Sequence, residues 1–329
     1  MKSHHSWNLP DGSPPEDVAN LQQGLGVSAP IARLLVRRGF PQLEMARSLL
    51  EAEHAEMHDP QLMRDMQKAT DRLCRAVTGK ERIVISGDYD VDGVTGTTLL
   101  MTELGRLGAE PLDFFIPNRE TDGYGISERL VKRAGEVGVK VLVSVDHGSS
   151  DHEAIRMAAN SGIDVIVVDH HEIPQIPEAA FAVLNPKRAD CPYPFKGLSA
   201  VGVAYKLLQS MVRQLRNEVH PQDGLDLVAL GTLADMQPVL DENRIMISRG
   251  LARLGATARP GIRALKQMTR VQGERLKSGE VGFKLAPRLN AVGRVALAKL
   301  GVDLLLSESD QAAARLVQLV ESQNDQRRQ

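Results

Sequence analysis

Three apolar, β-branched runs in this chain each lead into an aspartate. Arg82–Ser86 runs into Gly87 and Asp88, Lys140–Val145 into Asp146, and Asp164–Val168 into Asp169. Leu112–Ile116 reads as a further strand. Helical stretches lie between these runs: Thr95–Leu107, Ser127–Val137 with Ser127 as its N-cap, and His152–Asn160. Strands that alternate with helices build βαβ units and therefore a parallel sheet. In such a sheet the functional crevice lies outside the carboxyl ends of the strands. The three aspartates are thus expected on one rim. The expected fold class is α/β, an open and mostly parallel sheet flanked by helices, with a helical extension at the N-terminus.

The flanks are helical too. Ala29–Leu50 has helical spacing broken at Gly39–Pro41, and Pro60–Val77 reads as one helix. Residues 1–20 look like a loose arm. Beyond a Pro-rich loop from Pro174 to Pro194, helices are expected over Val201–Arg216, Leu225–Ala234 and 309–329.

Bulk charge is uninformative, because 40 basic residues nearly balance 42 acidic ones for a formal net charge of -2. The balance hides an asymmetry. Leu251–Lys299, punctuated by Gly and Pro, holds 11 basic residues and 2 acidic ones. That suggests a basic surface beside an acidic centre. Two cysteines, Cys74 and Cys191, make no disulfide framework and fit a reducing compartment. No apolar run approaches the roughly 18 residues of a membrane span. A cytoplasmic protein without a membrane partner is expected.

Chemistry is concentrated in the acids. Asp88, Asp90 and Asp92 lie at i, i+2 and i+4, which in an extended chain puts them on one face about 7 Å apart. Asp169 is followed by His170 and His171, and Asp235 ends the apolar run of GTLADMQP. Like charges this close need a counter-charge, and a divalent cation supplies one. Carboxylates with an imidazole suit Mn²⁺ or Mg²⁺ better than a structural zinc. The helix openings at Gly93 and at Gly197–Gly202 read as phosphate seats. Neither is a Walker A loop, and no G-x-S-x-G elbow occurs, which disfavours a P-loop ATPase and a serine hydrolase. His147, beside Asp146, reads as an ion ligand or as a partner of one. With 11 aromatic residues the chain has few stacking platforms. Phe114, Phe115 and Phe283 read as core, and Tyr124 is the best stacking candidate.

The order DYDVDG (88–93), VDHG (145–148), VDHH (168–171) and GTLADMQP (231–238) resembles the DHH phosphoesterase superfamily. IPNRETDGYGIS (116–127), LNPKRADCPYPFKGLSAVGVAYKL (184–207), LDLVALGTLAD (225–235) and APRLNAVGR (286–294) resemble its RecJ branch of 5′-to-3′ single-stranded-DNA exonucleases. The resemblance covers roughly residues 80–329. It implies a hydrolase of DNA repair and recombination that uses one or two Mn²⁺ or Mg²⁺ ions. By that resemblance Asp90, Asp92, Asp146, His170 and Asp235 are the metal ligands. Asp92, Asp146, His170 and Asp235 would hold the better-occupied ion, and Asp90 and Asp146 would face a second. Asp88, Asp169 and His171 are the catalytic positions, with Asp169 orienting the imidazole beside it and His171 facing the scissile phosphate. Arg119, Arg288, Asn290 and Arg294 are the substrate-binding positions. Single-stranded DNA is the implied partner, together with a single-stranded-DNA-binding protein or a helicase.

The sequence departs from the branch in three ways. Ser86 stands where some relatives carry a histidine, which leaves tight binding of a second ion open. His147 stands where a small or amide residue is more usual. The chain is also short for the branch. The expected layout is an arm and helices over 1–50, a catalytic domain over 51–305, and over 306–329 the start of a helix connecting to a second domain that is not present. Two alternatives are a short DHH phosphodiesterase acting on oligoribonucleotides, cyclic dinucleotides or pyrophosphate, and a non-catalytic DHH scaffold in a replication or repair assembly.

Overall fold

The structure is a computed structural model that describes residues 12–52, 56–118, 123–215, 224–293 and 298–328. The chain divides into two compact units, Met1–Glu56 and Met57–Gln329. In the first, α1 (Pro15–Leu25), α2 (Ala29–Arg37) and α3 (Leu43–Leu50) close around Leu21, Ala32, Leu35 and Ala46. The loose arm expected over 1–20 is thus partly helix. Pro15 takes the first helical turn, where a missing N–H costs nothing, and Val18 and Leu21 face the core.

The second unit is built on five parallel strands, β1 (Ile83–Gly87), β2 (Leu112–Phe115), β3 (Val141–Val145), β4 (Asp164–Val168) and β5 (Ala182–Leu184), in the order β2-β1-β3-β4-β5. In register, Ile83 sits between Leu112 and Val141. Alternate side chains face opposite layers. Ile83, Ile85, Val141, Val143 and Val145 enter the larger core, and Val84, Leu142, Val165 and Val167 enter the smaller one.

The smaller layer is α6 (Glu128–Glu136) and α7 (His152–Asn160). Ser127 caps α6 by accepting the amide of Leu130 at 3.2 Å. The larger layer is α4 (Met66–Thr78), α5 (Val91–Arg106), α8 (Ala200–Leu215) and α9 (Leu225–Ala234), with α10 (Asp241–Gly255) packed on α9. The basic segment, with its Gly and Pro punctuation, is largely helical among the described residues. It forms α11 (Pro260–Met268), the short α12 (Ser278–Glu280), a π-turn over Val281–Leu285, and α13 (Ala286–Gly293). Pro260 opens α11 at its first position, whereas Pro287 lies inside the unbroken helical run from Ser278 to Gly293, just after the π-turn. α14 (Ala298–Leu305) and α15 (Asp310–Arg328) complete the unit, with α15 packed on α11, α13 and α14.

The strand order reverses direction at β1, whose neighbours β2 and β3 both follow it in the chain. An open α/β sheet binds its ligands at such a switch point, outside the carboxyl ends of the strands. Asp88 and Asp146 follow the two strands that meet there.

Candidate metal centre

The acids after β1 do not lie on an extended chain. The strand ends at Gly87 and α5 starts at Val91, four residues earlier than its apolar spacing indicates. The reason is Asp90, which caps the helix: its Oδ1 accepts the amides of Asp92 at 2.8 Å and Gly93 at 3.1 Å. Asp88 and Asp90 therefore fall on one side with Asp146, while Asp92, inside the first helical turn, joins His170 and Asp235. Gly93 permits this turn, since a Cβ there would come within 2.5 Å of the Asp88 carbonyl oxygen.

The start of α5 is not free for a phosphate. Asp90 takes two of its amides, and Asn290 Oδ1 on α13 takes that of Val91 at 3.2 Å. Nor is the start of α8. There the amides of Ala200 and Val201 donate to the Asp92 carboxylate at 2.6 and 2.9 Å. The helix N-terminus does bind an anion, but the anion is the chain's own carboxylate.

Three groups of donor atoms result, each within 4.8 Å: Asp92, His170 and Asp235; Asp88, Asp90 and Asp146; and Asp146, His170 and His171. His170 Nε2 lies 3.1 Å from Asp146, 3.5 Å from Asp235 and 3.7 Å from Asp92. Asp169 orients a different imidazole from the one adjacent to it. Its Oδ1 accepts the backbone amide of His170 at 2.7 Å and meets Nδ1 of His171 at 2.8 Å, and its Oδ2 accepts the Ser149 amide at 3.1 Å. That leaves Nε2 of the exposed His171 ring for an incoming group.

The electrostatics follow from burial. Asp88, Asp92, Asp146, Asp169 and His170 are all buried. Burial, then Asp90, pushes the Asp88 carboxyl up to about 6. Burial raises Asp92, with Asp235 and Asp90 adding to it, and raises Asp146, with Asp92 and Asp90 adding to it. Burial also lowers His170, so the one imidazole these acids share resists taking a proton. Asp169 behaves oppositely. Burial opposes its charge, but the hydrogen bonds from His171 and Ser149 hold it well below the usual range. Its hydrogen bond in turn raises His171. Asp235 follows the last turn of α9. Asp88 Oδ1 is buried without a hydrogen-bond partner. Hard oxygen donors, one or two nitrogens and an unanswered negative charge fit a divalent cation of the Mn²⁺ or Mg²⁺ type.

The remaining sequence candidates spread out. Arg119 and Arg294 lie outside the described residues. Arg288 lies against α15, with Nε 3.9 Å from Glu321 Oε2 and Nη1 donating to the Lys284 carbonyl. Asn290 reaches the rim through the backbone of Val91. Phe283 is not core: it sits on the π-turn and is 84% exposed. Phe114 and Phe115 are half-buried and pack on the two cores. Buried His147 meets Ser86 Oγ at 3.3 Å through Nε2. Gln237 carries no reading in the sequence, and Tyr124, expected as a stacking residue, has a second contact. Gln237 bridges the cluster, its Nε2 donating to Asp235 Oδ2 at 2.8 Å and lying 3.3 Å from His170 Nδ1. Its one sequence signal is its place in GTLADMQP. Tyr124 donates its hydroxyl to the Asp146 carbonyl, and no local signal marks that contact.

A parallel sheet with a carboxylate–imidazole cluster at its switch point defines the class, and the comparisons agree. The model of the DHH family, N-terminal domain, matches residues 82–232, and the chain belongs to the DHH family. Relatives there include RecJ proteins. It is 40% identical to the single-stranded-DNA-specific exonuclease RecJ of Bacillus subtilis, over 99% of this chain and 41% of the relative. A crystal structure of exonuclease RecJ bound to manganese matches with 33% identity and a TM-score of 0.74, over 81% of this chain and 67% of that one. RecJ of Thermus thermophilus in complex with Mn²⁺ matches with 30% identity and a TM-score of 0.82, over 96% of this chain and 44% of that one. The chain spans about half the length of the curated relatives it matches.

Proposed function

We propose that this chain hydrolyses phosphodiester bonds of single-stranded DNA from the 5′ end, using one or two Mn²⁺ or Mg²⁺ ions held at the rim, in DNA repair and recombination. The observation that carries this reading is the surplus of carboxylate: buried Asp92 and Asp146 and half-buried Asp235 share the imidazole of His170. The relatives named above, described as single-stranded-DNA-specific exonucleases or as RecJ bound to manganese, support it. The 5′-to-3′ direction rests on the resemblance of the motifs.

Asp92, Asp146, His170 and Asp235 would hold one ion, and Asp90 and Asp146, beside Asp88, a second. When bound, such ions acidify a water and polarise the phosphoryl oxygens. The protein groups do the rest. Gln237 ties Asp235 to His170. Asp169 fixes His171 through Nδ1 and favours its protonated form, so Nε2–H donates to a phosphoryl oxygen as charge develops there. Tyr124, 52% exposed beside His171, offers a ring edge to the terminal nucleotide. The basic residues of 251–299 supply the positive charge that a polyanion needs. A single-stranded-DNA-binding protein or a helicase would deliver the strand. Cys74 and Cys191, both buried and unbridged, fit a cytoplasmic setting, and no helix among the described residues is long and apolar enough to cross a membrane.

The test is cleavage of 5′- and 3′-labelled DNA with Mn²⁺. Mononucleotides released from the 5′ end of single strands, with duplexes resistant, support the proposal. Turnover confined to dinucleotides or cyclic dinucleotides would replace it with the short phosphodiesterase reading. Asp146→Ala should abolish cleavage, and activity that survives in excess Mn²⁺ would break the ligand assignment.

A further inference from the structure

Asp146 is the only carboxylate common to two of the three donor groups among the described residues. Its backbone stands at φ 68°, in the left-handed region that is uncommon for L-residues, though aspartate enters it more readily than most. Two contacts hold it there. Its amide donates to the Val168 carbonyl at the end of β4, at 3.0 Å. Its carbonyl accepts the hydroxyl of Tyr124 at 3.1 Å.

Tyr124 is itself placed with care. Gly123 and Gly125 on either side have φ of 80° and 87°. At Gly125 a Cβ would come within 2.4 Å of Asp151 Oδ1, and Asp151 Oδ2 fixes the next residue by accepting the Ile126 amide at 2.7 Å. The ring meets Tyr89, His147 and His171 edge-on, with centroids 6.5, 6.3 and 6.4 Å away. A half-exposed side chain is therefore fixed on several sides, with its one polar atom on the carbonyl of the shared ligand.

We propose that Tyr124 is a positioning residue for Asp146: its hydroxyl holds the left-handed turn that lets one carboxylate serve both ion groups. The role belongs to the hydroxyl rather than to the ring. The inference rests on the reading of the rim as an ion site, and binding measurements separate the two.

The experiment is calorimetric titration of Mn²⁺ into the wild-type chain, Tyr124→Phe, Asp146→Ala and the double variant. Tyr124→Phe keeps the ring. It should bind Mn²⁺ about three- to tenfold more weakly, the worth of one hydrogen bond, while circular dichroism in EDTA shows a folded chain. In the Asp146→Ala background the same substitution should change nothing, because the group through which it acts is gone. Wild-type affinity in Tyr124→Phe would overturn the inference, as would an equal loss with and without Asp146. A wild-type chain that takes up no Mn²⁺ would overturn the ion site itself, and the inference with it.

Discussion

Two buried sets of charges in the second unit are built in opposite ways. Lys206 on α8 and Glu242 on α10 are fully buried 3.0 Å apart. Lys206 also donates to the His58 carbonyl at 2.6 Å, and the Tyr193 hydroxyl donates to Glu242. Burial lowers the Lys206 pKa, but Glu242 opposes that shift. At the rim, three carboxylates share one imidazole that burial has made less basic. The first set carries its own counter-charge and needs nothing from solution. The second is short of positive charge by construction. Burial does not distinguish a structural from a functional charge. What does is whether the protein has supplied the partner.

The same chemical change, carboxylate to amide, should therefore have opposite consequences in the two sets. Asp146→Asn should lower Mn²⁺-dependent cleavage by a factor on the order of 10³ or more. In EDTA the same variant should melt at a higher temperature than wild type, because a buried repulsion is gone. Glu242→Gln should leave Mn²⁺ binding intact and cost about 3 kcal/mol of stability in urea melts, because Lys206 is left buried and uncompensated. If Glu242→Gln abolished Mn²⁺ binding in a folded protein, the distinction between the two sets would collapse.

The smallest effect is in the pH dependence. Asp88 has its carboxyl raised from 3.8 to about 6, so the folded state binds that proton more tightly than the unfolded chain does. Its contribution is fully present below about pH 4 and is lost as pH rises through about 6, roughly 2–3 kcal/mol in all. Asp92 and Asp146, also raised, act with the same sign. Asp169, held low, has the opposite sign, and its stabilisation is lost only under acid; His170, also lowered, opposes the fall within the window itself. Metal-free melting temperatures should fall across that window, Asp88→Asn should flatten the fall, and excess Mn²⁺ should reverse it. A profile as steep in Asp88→Asn as in wild type would contradict the raised Asp88 carboxyl.

The pattern of strands was legible because a β-branched run followed by an aspartate is a local signal, and four of the five strands carry a clear apolar run. β5 is three residues inside a Pro-rich stretch, and only its pairing with β4 makes it a strand. The acids were legible as residue types, but their grouping was not. Spacing alone put Asp88, Asp90 and Asp92 on one face, whereas capping by Asp90 starts the helix between them. The helix openings at Gly93 and Gly197 read as phosphate seats because nothing local reveals that Asp90, Asn290 and Asp92 take those amides. The last two of these contacts join positions 199 and 108 or 109 residues apart. Phe283 read as core because aromatic residues in apolar stretches usually are. A π-turn displaces the side chain from the register an α-helix would impose. Gln237 and the Tyr124 hydroxyl act only through tertiary contacts.

The rim takes its missing charge from a divalent cation, and crystals grown with Mn²⁺ and measured at the manganese edge should show it. An anomalous peak is expected among Asp92, Asp146, His170 and Asp235, lost or weakened in Asp146→Asn. Saturating Mn²⁺ with no peak at those four residues, or with ordered Mn²⁺ only elsewhere, would contradict it.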